Sequence, residues 1–212
     1  MIFRLNEYNI RFPDPSLAEP DGLLAIGGDL RSERLIEAYR TGIFPWYNDE
    51  TPILWYSPHD RFVLFPNELK VSKSLAKVIR SRRFSITHNR AFPEVISACA
   101  AQPRRGQVGT WITSDMQQAY ISLHRLGHAH SVEVWYEGKL AGGLYGVAVG
   151  RVFCGESMFS RISDASKVAL YWLCRSERYD LIDCQVYTNH LASLGASLIA
   201  RKEYLRHLSE GQ

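Results

Sequence analysis

The chain has 212 residues, 46% of them apolar, and a formal net charge of +3. That length suits one large domain, or a small domain beside a medium one, with enough apolar residues for a sizeable core. No apolar run approaches the roughly 18 residues a membrane helix needs, and so small a charge does not by itself specify nucleic acid, so its distribution matters more.

Met1 to Ile10 shows no basic flank followed by an apolar core, so no secretory signal is read and the cytoplasm is the expected location. Residues 11 to 30 are rich in Pro, Gly and Asp and read as a structured loop. The pair Gly27-Gly28 lacks both the Lys-Ser/Thr of a P-loop and the spacing of a dinucleotide fingerprint. A helix follows, capped by Ser32 or Asp29, with Leu35, Ile36 and Tyr39 as its apolar stripe and Gly42 at its end. Phe44-Pro45-Trp46-Tyr47 and Ile53-Leu54-Trp55-Tyr56 are dense in aromatics. They read as core packing or as a stacking surface for a nucleobase.

Residues 70 to 83 carry Lys70, Lys73, Lys77, Arg80, Arg82 and Arg83 and no acid. Leu75, Val78 and Ile79 keep a helical stripe, and Lys73, Lys77 and Arg80 recur at i, i+4 and i+7 on one exposed face. That face is either solvated or a contact for a phosphate backbone.

Phe84 to His88 reads as a strand and Phe92 to Ala100 as a helix with Pro93 in its first turn. Gln102 to Gly109 is a basic, Gly-containing loop. Thr113 or Ser114 caps a second helix, with Met116, Ala119, Tyr120 and Leu123 inward. His130 to Tyr136, Leu140 to Val149 and Val152 to Met158 read as hairpin-connected antiparallel strands. Ser163 is expected to cap a helix in which Val168, Leu170 (or Tyr171) and Trp172 supply apolar contacts. Leu181 to Val186 is a strand, Asn189 to Leu194 a short helix, Ala196 to Ile199 a short strand and Arg201 to Leu208 a final helix. Cys99, Cys154, Cys174 and Cys184 form no C-x-x-C pair and read as reduced core residues. His124, His128 and His130 have no Cys or carboxylate at ligand spacing, so no metal is expected. Nothing reads as a coiled coil or a repeat, and a monomer is expected.

The stretch from Val152 to Gln185 is strand, helix, strand, the order of a parallel crossover. Glu156, Asp183 and Gln185 sit in its strands, and alternation puts Asp183 and Gln185 on one face with Cys184 on the other. Polar groups there are costly to bury unless paired or used. The full order is that of an α+β fold of the GCN5-related acyltransferase type, whose fourth and fifth strands splay around a cleft for an activated acyl donor. The expected division is a small N-terminal α/β domain over 1–62 and a GCN5-like catalytic domain over 63–212. Ser160 to Ser166, between strand and helix, contains no glycine to cradle a pyrophosphate, which argues against acetyl-CoA.

Long ordered segments carry a more specific resemblance. They include Glu-Pro-Asp-Gly-Leu-Leu-Ala-Ile-Gly-Gly-Asp-Leu, Gly-Ile-Phe-Pro-Trp, Pro-Ile-Leu-Trp-Tyr-Ser-Pro, Gly-Thr-Trp-Ile-Thr, Phe-Cys-Gly-Glu-Ser-Met-Phe-Ser-Arg and Leu-Ile-Asp-Cys-Gln. Over nearly its full length the chain resembles the leucyl/phenylalanyl-tRNA–protein transferases. The resemblance implies transfer of Leu or Phe from aminoacyl-tRNA to a protein beginning with Arg or Lys, marking it for the Clp degradation machinery. The donor ester is already activated, so no cofactor is expected.

By the same resemblance Asp183 and Gln185 are the catalytic pair. Gln185 would hold the attacking amine or the ester carbonyl, Asp183 would polarise it, and Glu156 would meet the acceptor's N-terminus. Leu144, Phe153, Met158, Leu170 and Ile182 are the expected aminoacyl pocket, with Trp46 and Trp111 at the adenosine edge. Lys73, Lys77, Arg80, Arg82 and Arg83 are the expected tRNA backbone contacts. Cys174 to Asp180 is shorter than the family pattern, and Leu173 and Glu177 stand where aromatics are expected. A structural ion pair of Glu156 with Arg161 or Lys167 is the alternative for that carboxylate. An RNA-binding module without catalysis, and an acyltransferase using a small thioester, are the alternatives for the whole chain.

Overall fold

The computed structural model describes residues 2–102 and 111–210. The basic loop expected from Gln102 to Gly109 lies, beyond Gln102, outside the described residues.

The chain opens with β1 (Phe3–Leu5), β2 (Leu23–Gly27), α1 (Ser32–Arg40), β3 (Phe44–Pro45) and β4 (Leu54–Tyr56). These strands form a sheet in the order β1-β2-β4-β3. β2 corrects the reading of residues 11–30 as loop throughout. It becomes a strand because β1 and β4, remote in sequence, supply its ladders on either side, and because Leu24 and Ala25 are fully buried. α1 has no side-chain cap: Arg31 is at the N-cap, and Asp29 Oδ1 accepts the Arg31 N–H instead. Gly42 ends the helix at φ +76, a conformation that costs a side chain.

The larger unit follows: β5 (Asp60–Leu64), α2 (Lys73–Arg80), β6 (Ser85–His88), α3 (Phe92–Ala100), α4 (Ser114–Arg125), β7 (Ala129–Tyr136), β8 (Lys139–Val149), β9 (Val152–Ser160), α5 (Ala165–Arg175), β10 (Leu181–Gln185), α6 (Asn189–Ser193), β11 (Ser197–Ala200) and α7 (Arg201–Glu210). Its seven strands run β11-β5-β10-β9-β8-β7-β6. β9 and β10 are parallel, and the other described pairings in this sheet are antiparallel.

Strand alternation gives the sheet two apolar faces. One packs α5 through Val168, Leu170 and Leu173, with Phe62, Leu144, Phe153 and Ile182 from the strands. The other holds Val63, Tyr145, Val147 and Cys154 against α3, α4 and α7, and the same core takes in Leu35, Tyr39 and Trp55 of the N-terminal elements. The division expected after residue 62 falls inside β5. Two details of α5 differ from expectation. Asp164, at φ 69, is the N-cap without a side-chain capping bond, while Ser160 Oγ rather than Ser163 takes an N–H of the first turn, from Ser166 at 3.1 Å. Trp172 is 43% exposed and Leu173 turns inward in its place.

β10 pairs with β9 only from Leu181 to Asp183, opposite Val152 to Cys154. β8 stays with β9 to Ser160. The parallel strands therefore part just where Glu156 and Gln185 stand. Each register also shifts at this place: Glu156 is the extra residue between Gly155 and Ser157 opposite β8, and Cys184 the extra residue opposite β5. Such bulges bend a strand and re-aim its side chains.

Candidate active site

The parting strands open a cleft of about 1180 Å³. Glu156, Asp183 and Gln185 line it, together with Leu144, Phe153, Met158, Leu170 and Ile182, and with Trp46 and Trp111. The apolar members belong to or pack on the α5 core, so that wall continues the protein interior. Trp46 is 40% exposed and lies edge-on to Tyr56, the ring centroids 5.8 Å apart. Of the two positions expected to be aromatic, Leu173 lines the cleft. Glu177 is exposed and turns its carbonyl to Arg151 at 3.3 Å.

Asp183 is fully buried. Arg61 Nε and Nη2 donate to its two oxygens at 2.8 and 2.7 Å, and the Tyr204 hydroxyl donates at 2.8 Å. The backbone N–H of Gln185 donates to it at 2.8 Å. Burial opposes the charge on Arg61, but the Asp183 carboxylate outweighs that and holds the guanidinium well above its ordinary range. Arg61 also donates to the Gly42 carbonyl at 3.1 Å and sits between the rings of Phe44 and Tyr204. These bonds fix the start of the β10 bulge from three elements at once.

Gln185 has φ +63, a left-handed conformation that costs roughly 1–2 kcal/mol for a residue with a Cβ. Its side chain donates from Nε2 to Glu156 Oε1 at 2.6 Å. Its amide oxygen has no hydrogen-bond donor among the described residues. Asp183 and Gln185 thus serve one side of the sheet while Cys184 packs on the other core, as alternation suggests, although a bulge rather than plain alternation delivers it.

Glu156 is 7% exposed. Besides Gln185, it accepts from Tyr39 at 2.7 Å and from Tyr120 at 3.2 Å. Burial pushes its carboxyl up to about 7, the Asp183 charge adds to the rise, and the tyrosine and Gln185 donors moderate it. Glu156 makes no ion pair with Arg161 or Lys167: Arg161 donates to the Leu140 carbonyl and Lys167 pairs with Asp164.

Four partners of this site were not visible as such in the sequence: Arg61, Tyr39, Tyr120 and Tyr204. The only signal for Arg61 was a lone cation heading the apolar run Phe62-Val63-Leu64. The basic residues lie elsewhere. Lys73, Lys77 and Arg80 are exposed on α2, with Arg82 and Arg83 just beyond its end, and none of them lines the cleft. Arg83 caps the Phe84 ring at 4.7 Å and reaches the Ser163 carbonyl. His124 stacks on Phe92 and bonds the Ala129 carbonyl, while His130 faces Asn89. No helix among the described residues is long and apolar enough to cross a membrane.

The parallel strands of this α+β scaffold thus part over a polar trio and an apolar wall. The leucyl/phenylalanyl-tRNA protein transferase family model matches residues 63–209, and the model of that family's N-terminal domain matches residues 28–59. The leucyl/phenylalanyl-tRNA--protein transferase of Syntrophobacter fumaroxidans is 58% identical over 99% of this chain and 90% of its own length. That of Pseudomonas aeruginosa is 57% identical over 98% and 94%. Among solved structures, a GCN5-related N-acetyltransferase from Kribbella flavida aligns with TM-score 0.42 and 11% identity, over 82% of this chain and 62% of that one. The chain belongs to the leucyl/phenylalanyl-tRNA protein transferase family.

Proposed function

We propose that this protein transfers Leu or Phe from aminoacyl-tRNA to the α-amino group of proteins beginning with Arg or Lys, working in the cytoplasm as a monomer. The observation that carries the reading is the convergence, in one cleft, of an apolar wall with a buried carboxylate, Glu156, bonded to Gln185 at 2.6 Å. The wall of Leu144, Phe153, Met158, Leu170 and Ile182 receives the aminoacyl side chain, and Met158 adapts to either shape. Trp46 and Trp111 border the terminal adenosine.

The chemistry needs little beyond placement. The acceptor's α-amine has a pKa of about 8, so a modest base suffices at neutral pH. The Gln185 amide oxygen takes an N–H of the attacking amine, while Asp183 positions Gln185 through its backbone N–H. Glu156, held near pKa 7, receives the proton. The new N–C bond forms, the ester C–O bond breaks, and the ribose oxygen leaves with the proton handed back by Glu156. Holding amine and ester together supplies much of the rate. The face of Lys73, Lys77 and Arg80 holds the tRNA backbone, with Arg82 and Arg83 beside it.

The test mixes the protein with radiolabelled Leu-tRNA and one acceptor made in two versions, beginning with Arg or with Ala. Label on the Arg version alone is expected. Label on neither, with the tRNA still bound, would leave an RNA-binding protein without this chemistry.

A further inference from the structure

Tyr39 and Tyr120 reach Glu156 from two separate helices, α1 and α4. Both are buried side chains, at 1% and 0% exposure. Their hydroxyls are in direct hydrogen-bond contact with each other. Each also meets Glu156, Tyr39 at Oε1 and Tyr120 at Oε2. A carboxylate and two hydroxyls therefore close a triangle with three oxygen–oxygen contacts.

The protons in that triangle can be counted. A hydroxyl carries one proton and an ionised carboxylate none. With Glu156 ionised, two protons serve three contacts, and one contact is left without a hydrogen. With Glu156 protonated, three protons serve three contacts and the triangle is complete. The ionised form has both tyrosines and Gln185 as donors, and the protonated form has a place ready for its hydrogen. Both states of the carboxyl are thus supported without moving a heavy atom. The surroundings are otherwise poor in help. The other titratable groups facing it are Asp183 on β10, Cys154 on β9 and, behind Tyr120, Tyr145 on β8, and Arg61 is already committed to Asp183.

We propose that Tyr39 and Tyr120 are positioning residues that make Glu156 a reversible proton store for the transfer step, taking the proton that the acceptor amine gives up. This rests on the reading of Glu156 as the proton acceptor. It adds that the store is assembled across the N-terminal elements and the larger sheet, so neither part alone contains it.

The test is the single-turnover transfer rate at saturating Leu-tRNA and acceptor peptide, from pH 6 to 9.5. The chains compared are wild type, Tyr39→Phe, Tyr120→Phe, the double variant and Glu156→Gln. One acceptor peptide is used throughout, so its own amine titration is common to all. The phenylalanines keep the ring packing and remove only the hydroxyls. With those donors gone the ionised carboxylate is less supported, so the acid limb should move to higher pH by about one unit in the double variant, and by less in each single one. That is about a fivefold loss at pH 7, approaching tenfold at pH 6 and recovered at the alkaline end. A loss of similar size at every pH, with an unmoved limb, would mean that the hydroxyls serve only packing and overturns the proposal, as would rates equal to wild type. If Glu156→Gln keeps the wild-type rate and profile, the reading of Glu156 fails at its root. If Glu156→Gln is inactive while the phenylalanine variants keep the wild-type limb, only the role of the tyrosines fails.

Discussion

Asp183 and Arg61 are joined by two parallel hydrogen bonds, at 2.8 and 2.7 Å, with Arg61 1% exposed and Asp183 fully buried. The pair links β5 to β10 at the point where β10 leaves its register. Removing one charge strands the other in a buried site. Asp183→Asn should therefore cost roughly 3–5 kcal/mol in urea unfolding. The double replacement Arg61→Met with Asp183→Leu should recover most of that stability, because an apolar pair avoids the desolvation cost. It should not recover transfer. Recovery of both would show that the pair serves the fold alone.

Gln185 allows stability and chemistry to be separated. Its φ of +63 favours glycine. Gln185→Gly should be more stable than Gln185→Ala by about 1 kcal/mol in thermal or urea unfolding. Both should lose transfer by at least a hundredfold, since neither keeps the amide that bonds Glu156. Wild-type transfer in the alanine variant would remove Gln185 from the mechanism.

Much of this centre was legible in the sequence and some of it was not. The strand-helix-strand unit announced itself through its apolar runs, and the parity of residues 183 and 185 suggested one side for both, though not the bulge at Cys184 that delivers it. Tyr39 and Tyr120 were correctly read as buried helix positions, because periodicity reports which face is apolar. Periodicity is silent on what a hydroxyl meets, and Tyr39 meets a carboxylate 117 positions away. Arg61 reaches Asp183 across 122. β2 escaped for a similar reason, since its ladders come from distant strands and Pro and Gly crowd its surroundings.

The folded state holds a proton on Glu156 more tightly than the unfolded chain, about 7 against the ordinary 4.5. Between those values the native form binds more protons, so stability should fall as pH rises through that window and level off above it. A gap of that size corresponds to roughly 3 kcal/mol. Urea titrations at pH 5 and pH 8 should show this loss in wild type and lack it in Glu156→Gln. An equal loss in the glutamine variant would assign the effect to other groups.

The exposed face of α2 makes a prediction independent of the cleft. Replacing Lys73, Lys77 and Arg80 with Gln should weaken binding of different tRNAs alike. The slope of log affinity against log salt should flatten by about 0.7 per lost contact on a single strand and about 0.9 on a duplex. Leu against Phe preference should not move if that choice belongs, as proposed, to the apolar wall. An unchanged slope would mark the face as merely solvated.

α7 lays Tyr204 on Asp183, and β11, just ahead of it, closes onto β5. Among the described residues, both come after every other one that touches the polar trio. During translation the centre therefore stays unfinished until the ribosome has moved past residue 204. A chain grown only as far as β10 has the tryptophans and the basic helix, yet lacks the brace under Asp183.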